Sequence, residues 1–130
     1  MNQVINSNIK DGTVISVPKG LIEHYGIYTT HPYWGFSTVI SNSGKHGKVV
    51  EESLQEFSGN KTIKINGYPG NLPPNKVVQN ARSLLNRPYN VFTSNCEHFV
   101  RKVHGEDESS PQLYLYTFIA LMFWLVVQKD

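Results

Sequence analysis

The stretch Ser94-Asn95-Cys96-Glu97-His98-Phe99-Val100 decides how this chain is read, because it holds the only cysteine and has the form of a helix start. Ser94 and Glu97 stand in the S-x-x-E relation of a capping box, which predicts Ser94 as the N-cap and Cys96 in the first turn. Unpaired backbone N–H groups and the positive end of the helix dipole there favour a thiolate over a thiol. Cys96, Phe99, Val100 and Val103 follow the i, i+3, i+4, i+7 spacing of one buried face. Glu97, Arg101 and Lys102 are expected on the solvent side, and Gly105 is placed to close the helix, with Arg101, Lys102 and His104 near its negative end. A lone cysteine on an apolar face is as readily a small core residue as a nucleophile, so a nucleophile requires a base elsewhere in the chain.

Upstream, β-branched and aromatic runs predict short strands. Thr13 to Val17 is the first, ended by Pro18, and Leu21 to Thr29 is the second. Period-two alternation places Ile22, His24, Gly26 and Tyr28 on one face of the second strand. His24 is therefore either a core imidazole satisfied by a backbone carbonyl or a buried base, and Gly26 leaves room for another element to approach closely. A loop at Thr30 to Gly35 leads to a third strand, Phe36 to Ser41. Val49 to Phe57 reads as a strand residue or two running into one helical turn, and Thr62 to Ile65 as a further strand. Residues 67–74, rich in Gly and Pro, form a connection. From Asn75 to Asn86 the positions Val77, Val78, Ala81, Leu84 and Leu85 make one buried helical stripe, stopped before Pro88. The order predicts an α+β fold, a small antiparallel sheet packed against helices.

Composition excludes several functions. With 130 residues and 39% hydrophobic content the chain suits one compact domain. Its 12 basic and 10 acidic side chains are spread without a basic cluster, so no nucleic-acid partner is expected. One cysteine permits neither an internal disulfide nor a C-x-x-C zinc site, and no histidine pair shows metal-ligand spacing, so no metal or organic cofactor is expected. His31 and His46, among Pro and Gly, are expected in solvent. The first ten residues lack a charged segment followed by an apolar one, which predicts no secretory signal and a cytoplasmic location. After an acidic and polar linker at 106–112, the run from Leu113 to Val127 carries no charge. As a helix it would span roughly 22 Å at about 1.5 Å per residue, short of the ~30 Å hydrocarbon core. Spanning, lying on a membrane, and packing on the domain or on a second copy all fit such a segment.

The two motifs His24-Tyr25-Gly26-Ile27-Tyr28 and Asn95-Cys96-Glu97-His98-Phe99-Val100, in that order, resemble the lecithin retinol acyltransferase-like family, a circularly permuted branch of the papain-like NlpC-type thiol enzymes. The resemblance covers residues 11–105. It implies a permuted papain-like core in which the helix cysteine, Cys96, is the nucleophile and the strand histidine, His24, its base. The best-known members carry a second histidine on the next strand, where this chain has Ser41, with Asn42 beside it. Asn42 could accept from the imidazole N–H through its amide oxygen, and Ser41 more weakly through its hydroxyl. Val39 and Ile40 are both apolar, so alternation leaves open which of the two faces inward.

The chemistry this implies is acyl transfer through a thioester on Cys96, on lipid acyl esters such as those of a phospholipid, with membrane contact through the C-terminal segment. The alternatives are a thiol amidase or peptidase of the same superfamily and a catalytically idle binding or adaptor domain that keeps the fold.

Overall fold

In the computed structural model, residues 9–90 and 95–106 are described. Ser94 and the hydrophobic segment 113–127 lie outside them, as does all of the predicted linker except Glu106. Five strands and three helices follow in the order β1 (Val14–Lys19), β2 (Ile22–Thr30), β3 (Ser37–Ser43), β4 (Lys48–Ser53), α1 (Leu54–Ser58), β5 (Lys64–Gly67), α2 (Pro74–Ser83) and α3 (Cys96–Val103). The strands form one antiparallel sheet in the order β4-β3-β2-β1-β5. This is the α+β architecture expected of short strands followed by amphipathic helices.

Alternation along the strands splits the apolar residues into two cores, one on each face. Ile15, Val17, Tyr28 and Val39 pack with Phe57 of α1. Val14, Ile27, Ile40 and Val49 pack on the other face with Val77, Val78 and Ala81 of α2 and Phe99, Val100 and Val103 of α3. Gly26 belongs to the α1 face, where a Cβ would collide with the Val39 side chain and press on the Phe57 ring. Its missing side chain is what lets α1 sit close to β2.

α1 is short, and its start carries a full capping box. Ser53 Oγ accepts from the Glu56 N–H and Glu56 Oε1 accepts from the Ser53 N–H, both at 3.0 Å. α2 opens on Pro74 and ends at Ser83, earlier than the expected Asn86. Leu84 is its C-cap, and Leu85 turns out to the surface because the chain leaves the helix before the stripe is complete. β3 extends two residues beyond the expected Ser41, and β5 lies two residues later than expected.

The sheet is incomplete at one place. The ladder between β2 and β3 covers only Ile27 to Thr30 of β2. β1 remains paired with β2 down to Lys19 and Ile22. The segment Ile22–Gly26 of β2 therefore has no ladder to β3 on its outer side, and a gap opens there.

Candidate active site

Helix α3 is built as the apolar spacing predicted, but its start differs by one residue. Asn95 is the N-cap, and its side-chain oxygen accepts from the N–H groups of Glu97 at 3.0 Å and His98 at 2.9 Å. Cys96 is thus the first helical residue. Glu97 is buried rather than solvated, at 8% exposure, and His98 is buried beside it. At the other end Gly105 adopts φ +78° and donates to the Lys102 carbonyl, as a C′ glycine should. His104, expected only as a charge near the helix end, is almost fully buried, with its Nε2 2.7 Å from the Gly12 carbonyl and its ring edge-on to Tyr68.

The Cys96 sulfur sits in the β2–β3 gap. Sγ is 3.9 Å from the Glu23 carbonyl, the peptide leading into His24, and the Tyr25 N–H on the far side of His24 donates to it. Burial pushes the thiol pKa up. The Tyr25 N–H, Lys19 and the thiol's own backbone N–H oppose that rise, while the Glu97 carboxylate adds to it. The helix start therefore does not by itself yield a resting thiolate, because loss of solvent outweighs the amide and dipole contribution.

His24 stands on the α1 face, its ring tilted over Phe57 with centroids 5.1 Å apart. Burial, then Lys19, Lys61 and His46, lower its pKa to about 4, so the ring is neutral at neutral pH. It makes no hydrogen bond among the described residues, and none to Cys96. The fold thus brings the sulfur against the backbone on both sides of His24, while the two side chains are not joined in this resting form.

The β2–β3 register decides the position of the two remaining candidates. Tyr28 lies opposite Val39 and Ile27 opposite Ile40, so continued alternation puts Ser41 on the face of His24 and Asn42 on the face of α2 and α3. Both are buried, and the Ser41 hydroxyl has no hydrogen-bond partner among the described residues. His31 is half-buried rather than solvated, and His46 is exposed as expected. His31 Nδ1 accepts from the Tyr33 and Trp34 N–H groups and its ring stacks on Trp34, while His46 pairs with Glu52 at 3.5 Å. Among the described residues no group of three or more His, Cys, Asp or Glu is placed to hold a metal ion, and no helix is long and apolar enough to cross a membrane.

Sequence reasoning passed over Asn95, the Tyr25 N–H and the lysines around His24. Asn95 could have been found, since Asn is as good an N-cap as Ser. The lysines reach His24 through tertiary structure and leave no local signal.

These elements make up an α+β domain whose cysteine opens a helix against a histidine-bearing strand. The family model for lecithin retinol acyltransferase matches residues 7–108, and the chain belongs to that family. Among curated proteins it is similar to human phospholipase A and acyltransferase 2, with 26% identity over 120 residues that cover 78% of this chain and 74% of that protein.

Proposed function

We propose that this protein is a cysteine-dependent acyltransferase or hydrolase of lipid acyl esters, with Cys96 as nucleophile and His24 as base, on a permuted papain-like core. The observation that carries this reading is the buried sulfur at the first turn of α3, lodged between the backbone groups that flank His24. The name of the human relative supplies the substrate class, a phospholipid. A neutral thiol and a neutral imidazole are the right resting forms for general-base activation, in which the ring takes the proton only as the sulfur attacks.

In the proposed reaction His24 removes the thiol proton and the sulfur adds to the ester carbonyl. The carbon–oxygen bond then breaks, and the released alkoxide takes the proton from His24. The products of this half-reaction are a thioester on Cys96 and a lysophospholipid. Water, an alcohol or an amine attacks the thioester, and its proton returns through His24 to the sulfur. Asn95 already occupies the N–H groups of Glu97 and His98, leaving the Cys96 N–H as the helix-start donor for the oxyanion, a contribution of about 3 kcal/mol. Ser41, on the face of His24, is the orienting group in this scheme. The C-terminal segment provides membrane contact.

A second reading, an idle binding domain, draws on the absence of a His24–Cys96 hydrogen bond. Hydrolysis of dispersed diheptanoyl phosphatidylcholine separates the two. Release of fatty acid that is lost in both Cys96→Ser and His24→Asn proteins supports the enzyme, and no release by the unaltered chain supports the idle domain.

A further inference from the structure

The tip of the β2–β3 connection carries three exposed aromatic rings, with Tyr33 92%, Trp34 54% and Phe36 50% exposed. The backbone around them holds the tip in shape. His31 Nδ1 accepts from the Tyr33 and Trp34 N–H groups at 3.1 Å each, the Gly35 N–H donates to the His31 carbonyl at 2.9 Å, and the His31 N–H donates to the Phe36 carbonyl at 3.1 Å. The Trp34 ring lies nearly parallel to that of His31, with centroids 3.8 Å apart, and Phe36 continues the stack at 5.5 Å. Rings fixed in this way lose little further freedom when they are covered. From Tyr28 to Gly44 the chain has no Asp, Glu, Lys or Arg. Such a contiguous apolar surface marks a place of contact.

Helix α3 delivers the rest of the chain to the same end of the sheet. His104 Nε2 is 2.7 Å from the Gly12 carbonyl, and the Gly12 N–H donates to the carbonyl of Tyr28, two residues before β2 ends. The described residues thus stop, at Glu106, close to the strand ends from which the aromatic tip projects. Seven residues further on, within roughly 25 Å at ~3.6 Å per extended residue, begins the uncharged run Leu113 to Val127. We propose that the aromatic tip is the seat of this segment of the chain itself. Both stretches lack charge, both carry aromatic rings suited to stacked and edge-on contacts, and a short connection keeps them at high effective concentration. A bilayer fits the tip less well. His24 lies six residues before Thr30 on β2, so lipid gathered at the tip would stand roughly 20 Å, at ~3.3 Å per residue, from the part of the sheet that holds the sulfur. A segment seated on the tip is withheld from a bilayer, and one lodged in a bilayer leaves the tip bare. The assignment uses neither Cys96 nor His24 and stands apart from the acyl-transfer reading.

Photo-crosslinking of the full chain, in dilute solution free of lipid and detergent, tests the assignment. Benzoylphenylalanine in place of Tyr33 should couple, within the monomer, to the tryptic peptide that contains Leu113 to Val127. The same probe in place of Leu21, also exposed but in the β1–β2 turn at the opposite end of the sheet, should not. Coupling from both positions alike, or from neither, overturns the proposal. So does coupling found only in covalent dimers, which assigns the tip to a second copy, or only to phospholipid once phosphatidylcholine vesicles are added, which assigns it to a bilayer. A second measurement uses Trp124→Phe protein, in which Trp34 is the only tryptophan. Iodide quenching of Trp34 should rise several-fold when Leu121→Asp and Leu125→Asp are added, in protein that still unfolds cooperatively in urea. Unchanged quenching in that folded variant would show that the segment does not cover the ring.

Discussion

The two ends of α3 hold a histidine each, or stand beside one, and treat it differently. At the C-terminal end His104 is tied to the Gly12 carbonyl and packed edge-on against Tyr68, and Gly70 leaves room for its backbone carbonyl, which a Cβ there would strike. At the N-terminal end His24 has a ring face on Phe57 and no hydrogen bond among the described residues. Burial lowers the pKa of both, yet only His104 has a ring nitrogen on a backbone partner, its Nε2 on the Gly12 carbonyl, while its buried Nδ1 has none among the described residues. Helix α3 is thus held at its far end through a histidine bonded to backbone, and at its start through the buried sulfur, which rests on the backbone flanking a histidine whose ring has no such bond among the described residues.

Altering each end in turn should separate these roles. Cys96→Ser and His24→Asn should each lower ester hydrolysis by about 10³-fold or more, with urea midpoints close to that of the parent. His104→Ala should do the reverse. It removes a buried ring and leaves the Gly12 carbonyl without its partner, so a loss of roughly 2–4 kcal/mol in urea unfolding is expected, with activity per folded molecule retained. If His104→Ala instead abolished turnover in a fully folded protein, the division of labour between the two ends would be wrong.

Acid probes the same pair of histidines. The folded pKa of His24 is about 4, below the ordinary histidine value of 6.5, so the folded chain binds fewer protons there than the unfolded one. Its contribution is fully present above pH 6.5 and is lost as pH falls through 4, up to about 3 kcal/mol in all. His104 acts in the same direction. Chemical denaturation from pH 7 to 4 should therefore show a decline that is shallower in His24→Gln protein, and an unchanged slope would contradict the burial assigned to His24. A smaller effect is expected at the N-cap, where Asn95→Ala should cost about 1 kcal/mol by releasing the Glu97 and His98 N–H groups.

Much of this contrast was legible in residue order alone. The stripe Val77, Val78, Ala81 and the face Phe99, Val100, Val103 are buried as their spacing requires, and Gly26 marks a close approach. What escaped has identifiable physical causes. Ser94 and Asn95 are both good caps, and Glu97 fits the capping-box template, so the local pattern favoured the wrong one and put Glu97 in solvent. The true capping box, Ser53 with Glu56, sits where a strand runs straight into a helix and hides the boundary. Ser41 and Asn42 could not be told apart because two apolar residues precede them, and only the pairing of Ile27 with Ile40 fixes their faces. The convergence of Lys19, Lys61 and His46 on His24 depends on tertiary topology and leaves no local signal in the residue order.

If Cys96 carries the acyl group, the intermediate should be trapped by quenching the protein in acid during turnover of diheptanoyl phosphatidylcholine and weighing its peptides by mass spectrometry. The expected result is a heptanoyl adduct on the peptide containing Cys96, labile to hydroxylamine as a thioester is and absent in Cys96→Ser protein. Fatty acid release at the parental rate by the Cys96→Ser protein, or an adduct located on any other residue, would contradict it.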